Sequence, residues 1–166
     1  PDELSQGMAR LMAELAELFG PEVRVSVRSS ATCEDSEATF AGQHSTVLNV
    51  SAQNVGMAWK EVVASTFSPR AVYYRRSMGY SDDDVVMAVL CVTMIDARSS
   101  GVMYTADPNR PSGPGAADDI LISAAWGLGV SVVDGSASTD FYAVRRKDSA
   151  LVRHDVARKT SRLRLR

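Results

Sequence analysis

The feature that most constrains the fold is a short apolar alternation followed by a long polar stretch. Three valines in residues 23–27 alternate with polar side chains, which is the period of a strand with one buried face. We expect this strand to end at Arg28. Residues 29–43 have no apolar period, and residues 46–50 predict a second strand. A polar segment of this length inside a compact domain usually carries a function.

Helical and strand periods interleave along the rest of the chain. Apolar residues at helical spacing predict one helix before residue 21 and another after Ser51, which we expect to be its N-cap. Ser68 and Pro69 are expected to end that helix and begin a third. Further strands are predicted at residues 85–92, 101–104, 120–123, 141–144 and 150–152, the first of them covered on both faces. This order predicts an α/β or α+β fold with a mixed sheet and flanking helices.

Length and composition narrow the class of protein. A chain of 166 residues with 45% hydrophobic residues fits one domain with a buried core. No apolar run approaches the roughly 20 residues of a membrane-spanning helix, and no secretory pattern opens the chain. The distant Cys33 and Cys91 do not form a disulfide framework. We therefore expect a cytoplasmic protein without a membrane partner, and both cysteines to be inert.

Charge is distributed unevenly. Residues 145–166 carry nine Lys or Arg and two acids, whereas residues 1–144 carry nine basic and eighteen acidic side chains. The basic segment has no aromatic residue for base stacking, and apolar residues interrupt its charges. We expect amphipathic structure there and no nucleic-acid partner. Because the sequence begins at Pro1 and stops within this alternation, we expect both ends to be cuts in a longer protein.

One arginine stands at the junction of the first strand and the polar segment. Arg28 can present a planar fork to phosphate oxygens, and Gly42 lets backbone amides approach an anion closely. The alternative is a surface arginine before a solvated loop. The residues alone leave both possibilities open.

Three ordered segments carry a resemblance to a known family. They are VRSSATCEDSEATFAGQHSTVLNV at residues 27–50, SGVMYTADP at residues 100–108, and WGLG at residues 126–129 followed by SVVDG at residues 131–135. Together with the apolar residues 88–95, they resemble the nucleotide-binding domain of the phosphoenolpyruvate synthase (pyruvate, water dikinase) and pyruvate phosphate dikinase family. The resemblance covers residues 23–144, and several motifs in family order are far more specific than one glycine motif.

The resemblance implies an ATP-grasp-like domain, of which the chain is the central part. Arg28 would contact phosphate and serve as the catalytic arginine, and Met94 and Ile95 would lie beside adenine. The implied phosphate lid and its neighbours comprise Ser29, Ser30, Thr32, Phe40, Ala41, Gly42 and Gln43.

The family activity would be transfer of a phosphoryl group from ATP, with Mg²⁺, through a histidine carrier to pyruvate. The products would be phosphoenolpyruvate, AMP and phosphate, and the partners would be the phosphocarrier-histidine and pyruvate-binding domains of the complete enzyme. A rifamycin-type antibiotic phosphotransferase and a non-catalytic nucleotide-binding module are the alternatives. We expect the isolated chain not to turn over.

The sequence also departs from the family pattern. Val92 and Val130 stand where the family usually has Gln and Glu, Ser45 replaces an acid, and Thr139 replaces the Pro of a Pro-Asp pair. The family's Gly-Gly-Lys lysine, downstream Glu and Gln-Ala-Arg element are not found. The acids left as candidates for metal or acid chemistry are Asp107, Asp118, Asp119 and Asp140, and the metal ligands stay open. His44 and His154 are not expected to be phosphocarriers.

Overall fold

A computed structural model describes residues 2–31, 45–81, 85–108 and 119–165. The chain divides into two compact units, Pro1–Met94 and Ile95–Arg166, where its length suggested one. Each unit has a sheet of its own, so the strand hydrogen bonds close within each unit. Helices and antiparallel sheets together confirm the α+β class. In the described segments, no helix combines the length and the apolar character needed to cross a membrane.

The first unit contains α1, β1, β2, α2, a single 3₁₀ turn, α3 and β3. Their bounds are Asp2–Phe19, Val25–Ala31, Thr46–Val50, Val55–Ala64, Ser65–Phe67, Pro69–Ser77 and Met87–Thr93. The second unit contains β4, β5, α4, β6 and β7. Their bounds are Ser99–Tyr104, Asp119–Trp126, Val130–Val133, Asp140–Arg145 and Leu151–Asp155.

The first unit is a three-stranded sheet in the order β2-β1-β3, with helices packed on one face. Both strand pairs are antiparallel, so β1 and β2, the two strands predicted on either side of the polar segment, are neighbours in the sheet. The apolar side of β1 meets α1 and α2 in one core, whose buried members are Met12, Val25, Val27, Val50, Val55, Ala58 and Val62. Full burial of each such valine contributes about 1.5–3 kcal/mol.

The prediction that the first strand ends at Arg28 is wrong, because β1 continues to Ala31. Ser29, Ser30 and Ala31 pair with Val89, Ala88 and Met87 on β3. Backbone groups make this ladder, so small hydroxyl side chains with no apolar period can belong to the strand. The polar segment that follows is therefore shorter than the sequence suggested.

The prediction that the run at residues 85–92 is covered on both faces is also wrong. β3 alternates in burial, and the Leu90 and Val92 side chains are 53% and 41% exposed. The helices cover only the side of the sheet that carries Val89 and Cys91. The opposite side of the sheet is open, and it is the setting of the candidate site.

The predicted start of α3 is confirmed, whereas the predicted cap of α2 is wrong. Ser68 caps α3 by accepting a hydrogen bond from the Ala71 amide at 3.2 Å, and Pro69 begins the helix, as predicted. Ser51 is not the cap of α2, because that helix begins at Val55 and Asn54 holds the cap position without a side-chain bond. The Ser51 carbonyl instead accepts the Asn54 amide in a turn.

The second unit is a four-stranded sheet in the sequential order β4-β5-β6-β7, and every pair is antiparallel. A mixed sheet was expected. Adjacent strands here follow each other along the chain, and such strands run antiparallel unless a long crossover connects them. Beyond β7 the described residues form no further helix or strand, and Leu163 forms an isolated parallel bridge with Gly127.

Candidate functional site

Arg28 lies on the open face of the first sheet, in its central strand. Its cross-strand neighbours are Thr46 on β2 and Leu90 on β3. Residues directly opposite each other in antiparallel strands project to the same face, so the three side chains form one row. All three are exposed. The open face therefore presents a guanidinium between a hydroxyl and an apolar side chain.

The Arg28 guanidinium makes no hydrogen bond or ion pair with any residue of the described segments. Arg75 of α3 differs from Arg28 in both respects, because it is 1% exposed and its guanidinium donates to the Thr66 carbonyl at 2.9 Å. Arg75 thus helps to hold the helices together, whereas Arg28 is available to a ligand. Its backbone is fixed by strand pairing on both sides, which limits the directions in which its planar fork can point.

The same open face carries an apolar strip on β3 and small polar residues on β1. Leu90 and Val92 form the strip, and Ser30 stands two residues beyond Arg28 on the same side. Val92 occupies the position where the family usually has Gln, so this part of the face offers contact area in place of a polar group. Ser26, opposite Val92, is already engaged, since its hydroxyl donates to the Val92 carbonyl at 3.4 Å.

Met94 and Ile95 follow β3 and stand at the boundary between the two units. The Met94 amide donates to the Arg24 carbonyl at 2.8 Å, and the Asn49 amide lies 3.0 Å from the Met94 sulfur. Asn49 has a φ of 57°, a conformation that Asn tolerates better than most residues. Ile95 is 78% exposed. Sequence reasoning did not single out Asn49, and its αL tolerance at a strand end is the signal that could have found it.

The remaining residues of the predicted lid lie outside the described residues. They are Thr32, Phe40, Ala41, Gly42 and Gln43. The expected convergence of Arg28 and Gly42 on one anion therefore stays a prediction. Ser29 and Ser30 are described, and they belong to β1. Of the two, Ser30 shares the open face with Arg28, and Ser29 points to the other side of the sheet.

The WGLG segment of the second unit has its backbone groups bonded within the protein. The Gly127 amide donates to the Arg98 carbonyl at 3.0 Å, and the Gly127 carbonyl accepts the Ser100 hydroxyl at 2.7 Å. The next amide, that of Leu128, donates to the Leu163 carbonyl at 2.9 Å. Gly127 therefore allows the backbone of the C-terminal segment at Leu163 to lie directly against the residue that follows β5.

The acidic candidates do not form a metal-binding group in the described part of the chain. Asp140 accepts from the Lys159 ammonium and from the Ala157 amide, so it anchors the C-terminal segment. Asp107 and Asp119 line one small cavity of about 190 Å³ together with Arg153. Asp118 lies outside the described residues. Across residues 2–31, 45–81, 85–108 and 119–165, no three His, Cys, Asp or Glu side chains form a group that could hold a metal.

The described cysteine and histidine lie in strands of different sheets. Cys91 faces the helix side of β3, and burial raises the pKa of its thiol, which disfavours the reactive thiolate. His154 is exposed on β7. Two of the other three positions at which the sequence departs from the pattern of the resembling family have clear structural settings. The Ser45 amide donates to the Ser65 hydroxyl at 3.1 Å, and Val130 begins the short helix α4.

The Asp140–Lys159 pair predicts a pH dependence in the second unit. The hydrogen bond from Lys159 lowers the pKa of the Asp140 carboxyl below its ordinary value, against an opposing effect of burial. A lowered folded-state pKa stabilises the fold above about pH 4, and this stabilisation is lost as pH falls through the folded pKa. We expect the C-terminal segment to detach in this acidic range.

The measurement is the fluorescence of Trp126, because the Lys159 ammonium lies 5.8 Å from the centre of its ring. Trp59→Phe removes the other tryptophan. Asp140→Asn should abolish the acid transition of the remaining signal. An unchanged transition in that variant would contradict the assignment to Asp140.

Fold and site together define an α+β domain with an open sheet face that presents an arginine without a partner among the described residues. The chain belongs to the family described as pyruvate phosphate dikinase, AMP/ATP-binding domain, whose model matches residues 1–166. The resemblance inferred from the motifs is thereby confirmed.

Individual relatives agree with this family. The chain is 40% identical over 162 residues to a probable phosphoenolpyruvate synthase of Methanocaldococcus jannaschii, covering 96% of this chain and 13% of that protein. It is 40% identical over 152 residues to the phosphoenolpyruvate synthase of Pyrococcus furiosus, covering 88% of this chain and 18% of that protein. It is 38% identical over 170 residues to the phosphoenolpyruvate synthase of Aeropyrum pernix, covering 98% of this chain and 20% of that protein. The chain thus spans a fifth or less of the length of these relatives.

Proposed function

We propose that the open face around Arg28 binds the phosphates of ATP. The observation that carries the proposal is an exposed arginine, fixed in the central strand, with no partner in the described segments. The family's printed description, an AMP/ATP-binding domain, supports a nucleotide as the ligand. An arginine fork bonds two phosphate oxygens at once, and such charge-assisted bonds are about twice as strong as neutral ones.

The same face suits the other parts of the nucleotide. Leu90 and Val92 offer apolar contact beside the guanidinium, and Ser30 offers a hydroxyl. Met94 and Ile95 are proposed to contact adenine, with Met94 held by its bonds to Arg24 and Asn49. Thr32 and residues 40–43 complete the proposed phosphate lid.

Mg²⁺ is proposed only as the ion that accompanies ATP. When bound, it would neutralise charge on the phosphates. The described acids do not fit a resident site, because Asp140 is paired with Lys159 and no metal-binding group forms within the described segments. The step assigned to this chain is therefore binding and orientation of the phosphates by Arg28.

For the whole protein we propose the phosphoenolpyruvate synthase reaction, in which ATP, pyruvate and water give AMP, phosphoenolpyruvate and phosphate. The names of the relatives support this proposal. The phosphocarrier-histidine and pyruvate-binding domains would lie outside the present chain, and a cytoplasmic setting is part of the same proposal. This chain would supply the nucleotide site.

The test uses a protein that contains this chain and spans the full length of its relatives. With ATP, Mg²⁺ and pyruvate, we expect AMP and phosphoenolpyruvate to form in equal amounts, and neither to accumulate when pyruvate is omitted. The 166-residue chain alone should form neither product. AMP formation that requires a rifamycin and not pyruvate would contradict the proposed acceptor and favour the antibiotic phosphotransferase.

A further inference from the structure

We propose a second ligand site, in the second unit, for a phosphate ester of a planar ring such as a nucleoside monophosphate. The site is an open cleft of about 480 Å³ lined by Arg98, Trp126, Thr160, Ser161 and Arg162. Its volume falls in the range of about 300–1,000 Å³ that small-molecule sites occupy. It shares no residue with the open face around Arg28 and does not depend on the function proposed for that face.

Three segments that are distant in sequence build this cleft. Trp126 ends β5 and pairs with Ser99, and Arg98 immediately precedes that partner. The C-terminal segment is fixed next to them, because the Leu128 amide donates to the Leu163 carbonyl. Lys159, which lies four residues before Leu163 in the same segment, forms an ion pair with Asp140 of β6. The residues between these two attachments, 160–162, form the remaining wall.

The charge of the cleft favours an anion. Arg98 and Arg162 are both exposed and have no ion-pair or hydrogen-bond partner for their guanidinium groups in the part of the chain that the structure describes. Three other cations of this unit are paired with carboxylates: Arg145 with Asp148, Arg153 with Asp155, and Lys159 with Asp140. Two unpaired guanidinium groups that line one cleft repel each other, and a phosphate between them would remove that repulsion.

The aromatic wall favours a planar ring on the ligand. Trp126 is 51% exposed although it ends a central strand, and Lys159 covers part of its ring at 5.8 Å. The Lys159 side chain is itself only 5% exposed and is paired with Asp140, so it is held in place against the indole. The uncovered part of the indole borders the cleft, where a base could stack. Hydroxyls of Thr160 and Ser161 add hydrogen-bonding groups for a ribose or a phosphate.

The experiment uses the 166-residue chain with Trp59→Phe, which leaves Trp126 as its only tryptophan. Three probes are titrated: AMP, ribose 5-phosphate, which has no base, and adenosine, which has no phosphate. We expect AMP to change the Trp126 fluorescence saturably, and each of the other probes to bind at least ten-fold more weakly. The double variant Arg98→Ala and Arg162→Ala should weaken AMP binding at least ten-fold.

Two control variants locate the ligand. Arg164→Ala removes an exposed arginine of the same segment that does not line the cleft, and it should leave AMP binding unchanged. Arg28→Ala should leave the AMP-dependent change in Trp126 fluorescence unchanged, because Trp126 lines the cleft and Arg28 does not; any AMP that the open face binds would be a separate event, seen by calorimetry. Circular dichroism of the double variant, compared with the parent, checks that the second sheet remains folded.

Three outcomes would overturn the proposal. The first is ribose 5-phosphate binding as tightly as AMP, which would make the cleft a plain anion site. The second is loss of the AMP signal in Arg28→Ala with no loss in the double variant, which would place the ligand on the first sheet. The third is no saturable signal from AMP with the parent chain, by fluorescence or by calorimetry.

Discussion

Arg28→Ala is expected to weaken ATP binding by roughly ten-fold or more, and Arg28→Lys to weaken it less. The guanidinium is held by a strand that is paired on both sides, so its fork can meet two phosphate oxygens together. Lysine keeps a point charge at this position but loses the fork, and alanine loses both. A hydrogen bond to a charged group contributes about 1.5–3 kcal/mol, which corresponds to ten-fold or more in the dissociation constant. Activity should fall in the same order.

Calorimetry with ATP and Mg²⁺ on the full-length protein and its variants measures this effect. Arg70→Ala is the matched control, because Arg70 is an exposed arginine of the same unit that lies on α3, away from the open face. It should bind ATP as the parent does. If Arg28→Ala bound ATP as tightly as the parent, Arg28 would be an ordinary surface residue and the proposed site would be wrong.

Gly127→Ala is expected to destabilise the second unit by about 1.5–3.5 kcal/mol. Gly127 has a φ of 80°, which costs an L-residue about 1–2 kcal/mol. An added Cβ would also overlap the Leu163 carbonyl oxygen, a backbone atom that cannot move without breaking its bond to the Leu128 amide. Displacing the C-terminal segment would add the loss of that bond, about 0.5–1.5 kcal/mol.

Gly135→Ala separates the backbone cost of a positive φ from the cost of the overlap with Leu163. Gly135 has a similar φ of 74°, but nothing lies within 4 Å of an added Cβ, so only the backbone cost of about 1–2 kcal/mol should appear. Urea unfolding followed by Trp126 fluorescence in the Trp59→Phe background reports on the second unit. Equal destabilisation by the two substitutions would show that close packing against Leu163 does not matter.

Local chemistry along the chain determined much of the fold, and it suggested part of the candidate site. The valine alternation of residues 23–27 specified a half-buried strand, and Ser68 with Pro69 specified the end of one helix and the start of the next, since both signals act within a few residues. The motif around Arg28 identified the family, which the match over residues 1–166 confirms. Each of these features depends on neighbours along the chain.

The tertiary structure decided what depends on distant neighbours. β1 extends to Ala31 because β3, some sixty residues later, supplies its hydrogen-bond partners. Leu90 and Val92 are exposed because the helices pack on one face of the sheet only, and no local pattern states how many faces will be covered. Position 127 needs a glycine because the Leu163 backbone leaves no room for a Cβ there. The cleft of the second unit likewise brings together Arg98, Trp126 and Arg162, which are far apart in the sequence. Periodicity records which side of an element is apolar, whereas packing between elements decides which groups stay open to a ligand.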